Sequence, residues 1–240
     1  MSLRSTAWID RPVGHHVLMR TPRASLHAAL AIAMAASIAV AVPAPVYAVS
    51  ALPAFSSSIR PVDEALKARM VHSWRAGCPV SRSRLRYLLV SYVAFDGSAR
   101  QGELVVHERV AADVVSVMKA LYENHFPIRR MRLVDDYRGD DDASMAANNT
   151  SAFNCRRSTG STSWSEHSYG RAIDLNPIRN PYVRGTTVEP PAGARFVDRS
   201  PLRKGMVTRE VRDAFDRIGW VWGGSWTSSK DYQHFPATGR

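Results

Sequence analysis

Lysine is scarce in this chain: only 4 of its 32 basic residues are lysine, the other 28 being arginine. GC-rich coding produces such a bias as readily as selection does, so it carries little functional weight. The net charge of +11 favours an anionic partner, whether nucleic acid, an acidic membrane or an anionic polymer. No Arg/Lys cluster is interleaved with aromatics, and no helix-turn-helix or finger spacing occurs, so a nucleic-acid partner is not expected. Internal repeats are also missing. Cysteine is almost absent, with Cys78 and Cys155 the whole supply. In an oxidising compartment the two are expected to pair, stabilising the domain by about 3–5 kcal/mol on a chain-entropy estimate; two buried thiols are the alternative. Neither cysteine lies beside a suitable histidine in sequence, so a cysteine nucleophile is not expected.

Long apolar runs are confined to one place. Leu26 to Val42 is apolar apart from His27 and Ser37, follows Arg20 and Arg23, and leads to the small-residue exit Val46-Tyr47-Ala48. Basic flank, apolar run and small-residue exit together read as a secretory signal. An uncleaved membrane anchor is the competing reading, because the run approaches a minimal span. Pro43 and Pro45 break it, which favours export; membrane contact is expected only through an uncleaved leader. Met19 begins a better-proportioned signal than Met1 does. The expected organisation is a leader over 1–48, a linker and short helix over 49–76, and one folded domain over 77–240.

Within that domain the hydrophobic content, 45% for the chain, is enough for a core. A short helix is expected within 62–74. Leu85–Phe95 and Glu103–His107 read as two strands joined through Asp96-Gly97. Val110, Val114, Val117, Met118, Leu121 and Tyr122 recur at helical spacing. Ile128–Val134 reads as a half-buried strand, and Asp135–Ser163 as a long polar loop. Ala172–Leu175 is a short strand, 178–205 an irregular surface stretch, and Thr208 an N-cap for a helix ending at Gly219. Trp220–Trp222 and Tyr232–Phe235 complete the strands. Strands and helices mix without βαβ regularity, so the expected class is α+β with an antiparallel sheet.

Two segments carry chemistry. Ser165-Glu-His167-Ser-Tyr-Gly170-Arg-Ala-Ile-Asp174 supplies an imidazole and a carboxylate around a glycine, and Asp231-Tyr-Gln-His234-Phe235 supplies another of each. A catalytic zinc needs three protein ligands, an open position for water, and a nearby carboxylate to take the proton. Gly170 permits the bend that turns Asp174 back towards His167. On one regular strand Asp231 and His234 would face opposite ways, so the pair requires a bulge or turn between them. Spacing alone leaves open that these are ordinary surface or core histidines. Asp140-Asp141-Asp142 lacks the alternating pattern of a calcium loop and reads as a solvated segment.

The pair of segments resembles the two signatures of the zinc D-alanyl-D-alanine carboxypeptidase family, which also contains L-alanyl-D-glutamate endopeptidases. Asp174-Leu-Asn-Pro-x-x-Asn-Pro-Tyr182 and Trp222-Gly-Gly-x-Trp226 resemble the endopeptidase subgroup, and Gly77–Val80 and Asn148–Arg156 resemble its secreted members. The resemblance spans Gly77 to Phe235. It implies a hedgehog/DD-peptidase-type fold, a small antiparallel sheet flanked by helices, with 77–240 as the zinc peptidase domain. It implies one zinc ion on His167, Asp174 and His234, with Asp231 as general base where many relatives have Glu. Arg156 matches an arginine that binds substrate or steadies the oxyanion, a surface arginine being the alternative. Ser165 and Trp222 are candidate substrate contacts, core packing being the competing role for the tryptophan. The substrate implied is a peptidoglycan stem peptide, the location a bacterial cell envelope or its exterior, and the expected state a monomer. A non-catalytic wall-binding module is the alternative function, and no repeated wall-binding unit accompanies it.

Overall fold

A computed structural model describes residues 52–238. The expected leader, 1–48, and the choice between Met1 and Met19 lie outside the described residues. The described residues open with β1 (Ser57–Pro61), inside the stretch expected to be linker, and α1 (Glu64–Arg69). Asp63 caps α1, its Oδ1 accepting from Leu66 N at 2.8 Å. The long hairpin of β2 (Leu85–Ala94) and β3 (Ala99–His107) follows, antiparallel from Leu85↔His107 to Val93↔Ala99. β1 pairs antiparallel with the other edge of β2.

Alternation along β2 and β3 separates two cores. Leu88, Val90, Tyr92, Leu104 and Val106 pack on one face, against Val114, Val117, Met118 and Leu121 of α2 (Ala111–Glu123). Leu85, Tyr87 and Val105 face the other way, towards Leu66, Met70, Leu133, Phe153 and Cys155. Each of these aliphatic side chains contributes roughly 1.5–3 kcal/mol when fully buried. Both faces of the hairpin are therefore occupied, which makes it the rigid centre of the domain.

The stretch 128–134 is not one strand. β4 (Pro127–Ile128) continues the edge of β2 in parallel, and β5 (Arg130–Met131) pairs in parallel elsewhere. The break falls at Arg129, whose N–H donates to the Asn176 side chain at 2.9 Å instead of to a strand. The polar stretch 135–163 holds α3 (Asp141–Ala146) and β6 (Asn149–Thr150), the partner of β5. Asp140 caps α3, its Oδ1 accepting from Ala143 N at 3.0 Å.

After β7 (Ala172–Asp174), the irregular stretch 178–205 contains a small hairpin of β8 (Tyr182–Arg184) and β9 (Thr187–Glu189). α4 (Arg209–Asp216) begins at its expected cap, Thr208. Trp220–Trp222 is extended but is not a strand; Val221 N–H donates to Pro236 O at 3.1 Å without a ladder forming. The chain closes with β10 (Lys230–Asp231), paired with β8, and β11 (His234–Pro236), paired with β7. Phe235 stacks on Phe215 of α4 with ring centroids 3.9 Å apart, which anchors β11 in the first core. The architecture is α+β with small, mostly antiparallel sheets. Among the described residues, no helix is long and apolar enough to cross a membrane.

Cys78 and Cys155 form a disulfide across 77 positions of chain, at the rim of the second core. Replacing both by serine removes that restraint on the unfolded chain and should lower stability by about 3–5 kcal/mol. Thermal melts with and without reductant check this: reduced wild type should melt with the double variant. An unchanged midpoint on reduction would mean that the bond restrains little.

Candidate metal centre

Asp174 and His234 meet because of strand register. They are direct partners across the antiparallel pair β7–β11, so their side chains emerge on the same face. His234 Nδ1 lies 2.8 Å from Asp174 Oδ1. The alternation of β11 sends the neighbouring Phe235 into the core, so one strand supplies both a candidate ligand and its anchor. Asp174 is held from its other side too, its N–H donating to Ser151 O at 3.0 Å and its carbonyl accepting from Ser151 N at 3.1 Å.

His167 arrives on a 3-10 turn, Glu166–Tyr169, capped by Ser165, whose Oγ accepts from His167 N at 3.3 Å. Gly170 ends the turn at φ +64°, a conformation costly for other residues. A Cβ there would lie 2.6 Å from His107 N, against the end of β3. Glycine thus lets the motif dock on the rigid hairpin and sends the chain straight into β7. His167 Nδ1 lies 2.5 Å from Ala152 O. A carbonyl only accepts, so Nδ1 carries the proton and Nε2 presents its lone pair. That Nε2 sits 3.1 Å from Asp174 Oδ2 and 3.2 Å from His234 Nδ1.

Three potential ligand atoms therefore converge, all within 4.8 Å of one another and all on buried residues. Burial pushes the Asp174 carboxyl up, but the two imidazoles outweigh it and hold the group well below the usual carboxylate range. Burial pushes His234 down; the Asp174 charge and hydrogen bond reverse this and raise it. A buried anion between two imidazole nitrogens, with one lone pair fixed by the protein, is a donor set suited to a metal cation.

Asp231 stands beside this set on a different sheet. It ends β10, opposite Tyr182, and the chain bends at Tyr232-Gln233 before β11 begins. The bend removes the conflict of strand parity, because Asp231 and His234 never belong to one strand. Both line a cleft of roughly 470 Å³ together with His167 and Asp174. Burial pushes the Asp231 carboxyl up to about 6; His234 opposes this and the Asp174 charge adds to it. Its Oδ1 is buried without a hydrogen-bond partner.

Arg156 also lines the cleft, where Asp141 holds it through an Nη2–Oδ2 contact of 2.6 Å. Asp141 is thus part of the cleft wall and not a solvated loop residue, as the run of three aspartates suggested. Ser168, which went unremarked in the sequence, fixes the Arg156 backbone: its Oγ donates to Arg156 O at 2.6 Å and lies 2.9 Å from Arg156 N. Ser165 lies in the cleft wall, whereas Trp222 does not. The Trp222 indole donates to Tyr232 O at 2.9 Å and packs against the first core. Trp226 is the tryptophan in the wall, with its ring centroid 5.8 Å from that of His234 in an edge-on arrangement. The aromatic spacing offered no signal to choose between them.

His167→Ala, Asp174→Ala and His234→Ala should each abolish stoichiometric metal binding, whereas Asp231→Ala should keep it. Metal analysis of dialysed protein checks this, and loss of metal from Asp231→Ala would make that residue a ligand. A second expectation concerns stability. The raised Asp231 pKa means the native state binds more protons than the unfolded chain between the ordinary 3.8 and about 6. Stability therefore falls as pH rises through that window, and the loss persists at neutral pH. Metal-free Asp231→Asn should melt above metal-free wild type at pH 7, with the gap closing below pH 4. An equal gap at both pH values would show that the carboxylate charge is not the cause.

Residues 159–237, about a third of the chain, match a family model described as D-alanyl-D-alanine carboxypeptidase. No curated protein and no solved structure matches the chain. The matched segment contains His167, Asp174, Asp231 and His234, so the likeness to the D-alanyl-D-alanine carboxypeptidase model covers the whole candidate site.

Proposed function

We propose that this chain is a secreted bacterial zinc peptidase that hydrolyses peptidoglycan stem peptides, with Asp231 moving the proton. The observation that carries the reading is the convergence of His167, Asp174 and His234 beside an unpartnered Asp231 oxygen, inside the segment that matches the family. The donor set supports zinc: two imidazoles and a carboxylate are ligand types that it takes, and one atom of each lies within 4.8 Å of the others. His167 Nε2 lies 3.1 Å from Asp174 Oδ2 and 3.2 Å from His234 Nδ1. The hedgehog/DD-peptidase type is the fold that this reading entails.

His167, Asp174 and His234 would hold the ion, with Ala152 O keeping the His167 ring in the correct tautomer. Zinc supplies Lewis acidity, making water a nucleophile near neutral pH and polarising a peptide carbonyl. Asp231 accepts the proton of the attacking water and passes it to the leaving amine. Its buried Oδ1 has no partner within the protein to compete for that proton. Arg156, steadied by Asp141 and Ser168, presents positive charge where the carbonyl oxygen becomes negative. An intact Asp231 disfavours the alternative of a wall-binding module without activity.

The disulfide suits an oxidising compartment, in keeping with export. Residues 49–240 carry 28 basic and 20 acidic side chains, and the net +8 favours retention near an anionic wall.

Mass spectrometry of muropeptides digested with and without chelator tests the reading. Loss of terminal D-alanine identifies a carboxypeptidase, and separation of L-alanine from D-glutamate an endopeptidase. Cleavage that survives chelation would remove zinc from the reading, and zinc binding without cleavage would favour the wall-binding module. Asp231→Asn should lower kcat about 10²–10⁴-fold. The base must be ionised, so wild-type kcat/KM should fall about tenfold per pH unit below its pKa. A nearby bound cation lowers that pKa, so this acid limb should lie at or below about 6. An acid limb unchanged in the residual activity of Asp231→Asn would assign it to another group.

A further inference from the structure

The described residues contain seven buried side-chain polar atoms without a hydrogen-bond partner, and five of them belong to residues of the one cleft. They are Arg156 Nε and Trp226 Nε1, which donate, and Asp231 Oδ1, Gln233 Oε1 and Glu166 Oε2, which accept, the last of them 3.4 Å from Arg171 Nη2 in an ion pair. A buried polar atom left unpaired costs about 1–3 kcal/mol, so such a concentration marks a surface that a polar ligand completes. Donors and acceptors are mixed, as a peptide backbone would require.

Gln233 is the least expected member. It occupies the bend between Asp231 and His234, and its side chain is 2% exposed. Its backbone is fixed, the carbonyl accepting from Leu175 N at 3.0 Å. The amide nitrogen has only a long contact, 3.5 Å, to Met145 Sδ, a poor acceptor from α3. A carboxamide held in the wall with its oxygen free gives no packing advantage that an apolar residue of the same length would lack. Asp231 has the proton-transfer role proposed above, whereas nothing in that chemistry uses Gln233.

We infer that Gln233 is a substrate-binding residue whose Oε1 accepts a hydrogen bond from one backbone N–H of the bound peptide, setting its position in the cleft. Trp226 Nε1 and Arg156 Nε are the nearby donors available to the peptide's carbonyl oxygens. The inference rests on the peptidase reading but adds a contact that the proton chemistry does not need. It predicts that binding depends on a particular peptide N–H, not only on side chains and charge.

The test is a double-mutant cycle between enzyme and substrate. A synthetic stem peptide and a series of analogues, each N-methylated at one amide, are assayed against zinc-loaded wild type and Gln233→Met. Methionine keeps the length of the side chain and packs beside Met145. Metal content and melting temperature verify that His234 and the fold are undisturbed. KM for the parent peptide should rise about tenfold in Gln233→Met, with kcat little changed, the scale of one hydrogen bond. One methylation should weaken wild-type binding strongly yet add little in Gln233→Met. Equal penalties at every position in the two proteins, or an unchanged parent KM, would overturn the role of Gln233 while leaving the peptidase reading intact. Failure of wild type to bind or cleave any of the peptides would overturn that reading and the Gln233 role together.

Discussion

A buried carboxylate is the constraint around which the rest of the domain is arranged. Asp174 ends a three-residue strand in the interior, where an isolated anion is strongly disfavoured. The molecule meets that demand with two imidazoles instead of a single ion pair. Register across β7–β11 supplies one, and the glycine-terminated turn before β7 supplies the other. Neither element is stable alone at this length. Each borrows rigidity from the β2–β3 hairpin, through Gly170 against His107 on one side and Phe235 on Phe215 within the first core on the other. The site is therefore as firm as the hairpin is, although its own strands are very short.

Asp231 illustrates a different balance. A carboxyl raised by burial and by a neighbouring anion weakens the folded state at neutral pH. Such a group persists where it has a use, and proton transfer is the use that its free oxygen and place in the cleft support. Asp174 and Asp231 share one cleft but differ in surroundings. The first is flanked by imidazoles and stays ionised, and the second holds its proton more tightly. That separation of two carboxyls suits one to binding a cation and the other to exchanging a proton.

Periodic and punctuated features were legible in the sequence: the α2 stripe from Val110 to Tyr122, the β2–β3 hairpin across Asp96-Gly97, and the cap at Thr208. These depend on local pattern, and so survive reading without a partner. The two- and three-residue strands were not legible, because their partners are remote: β4 and β5 divide at Arg129, whose N–H donates to the side chain of Asn176, 47 positions away. Among site residues, the grouping of His167, Asp174 and His234 was visible from motif and glycine. The need for a bend before His234 was visible too, but not its solution, in which Asp231 joins another sheet. Side-chain pairings across loops, such as Arg156 with Asp141, leave no periodic trace. For the same reason the choice of Trp226 over Trp222 depends on where the 3-10 turn at Gly223–Ser225 sends each ring.

The way β10 is held carries a consequence for specificity. β8 pairs on one edge with β9 and on the other with β10, so the strand bearing Asp231 is bonded directly to the small hairpin. That hairpin contributes Tyr182, Arg184, Thr187 and Glu189 to the cleft wall. The residues that line that side of the cleft and the carboxyl proposed to move the proton thus share one ladder. Two of the candidate metal ligands, Asp174 and His234, belong to a separate ladder, β7–β11, and His167 to the turn before it. A change in the hairpin therefore bears directly on the strand that holds Asp231 and only indirectly on His234 and Asp174. Under the proposed function, substrate selection would thus be tied through β8 more closely to the proposed proton acceptor than to the candidate metal ligands.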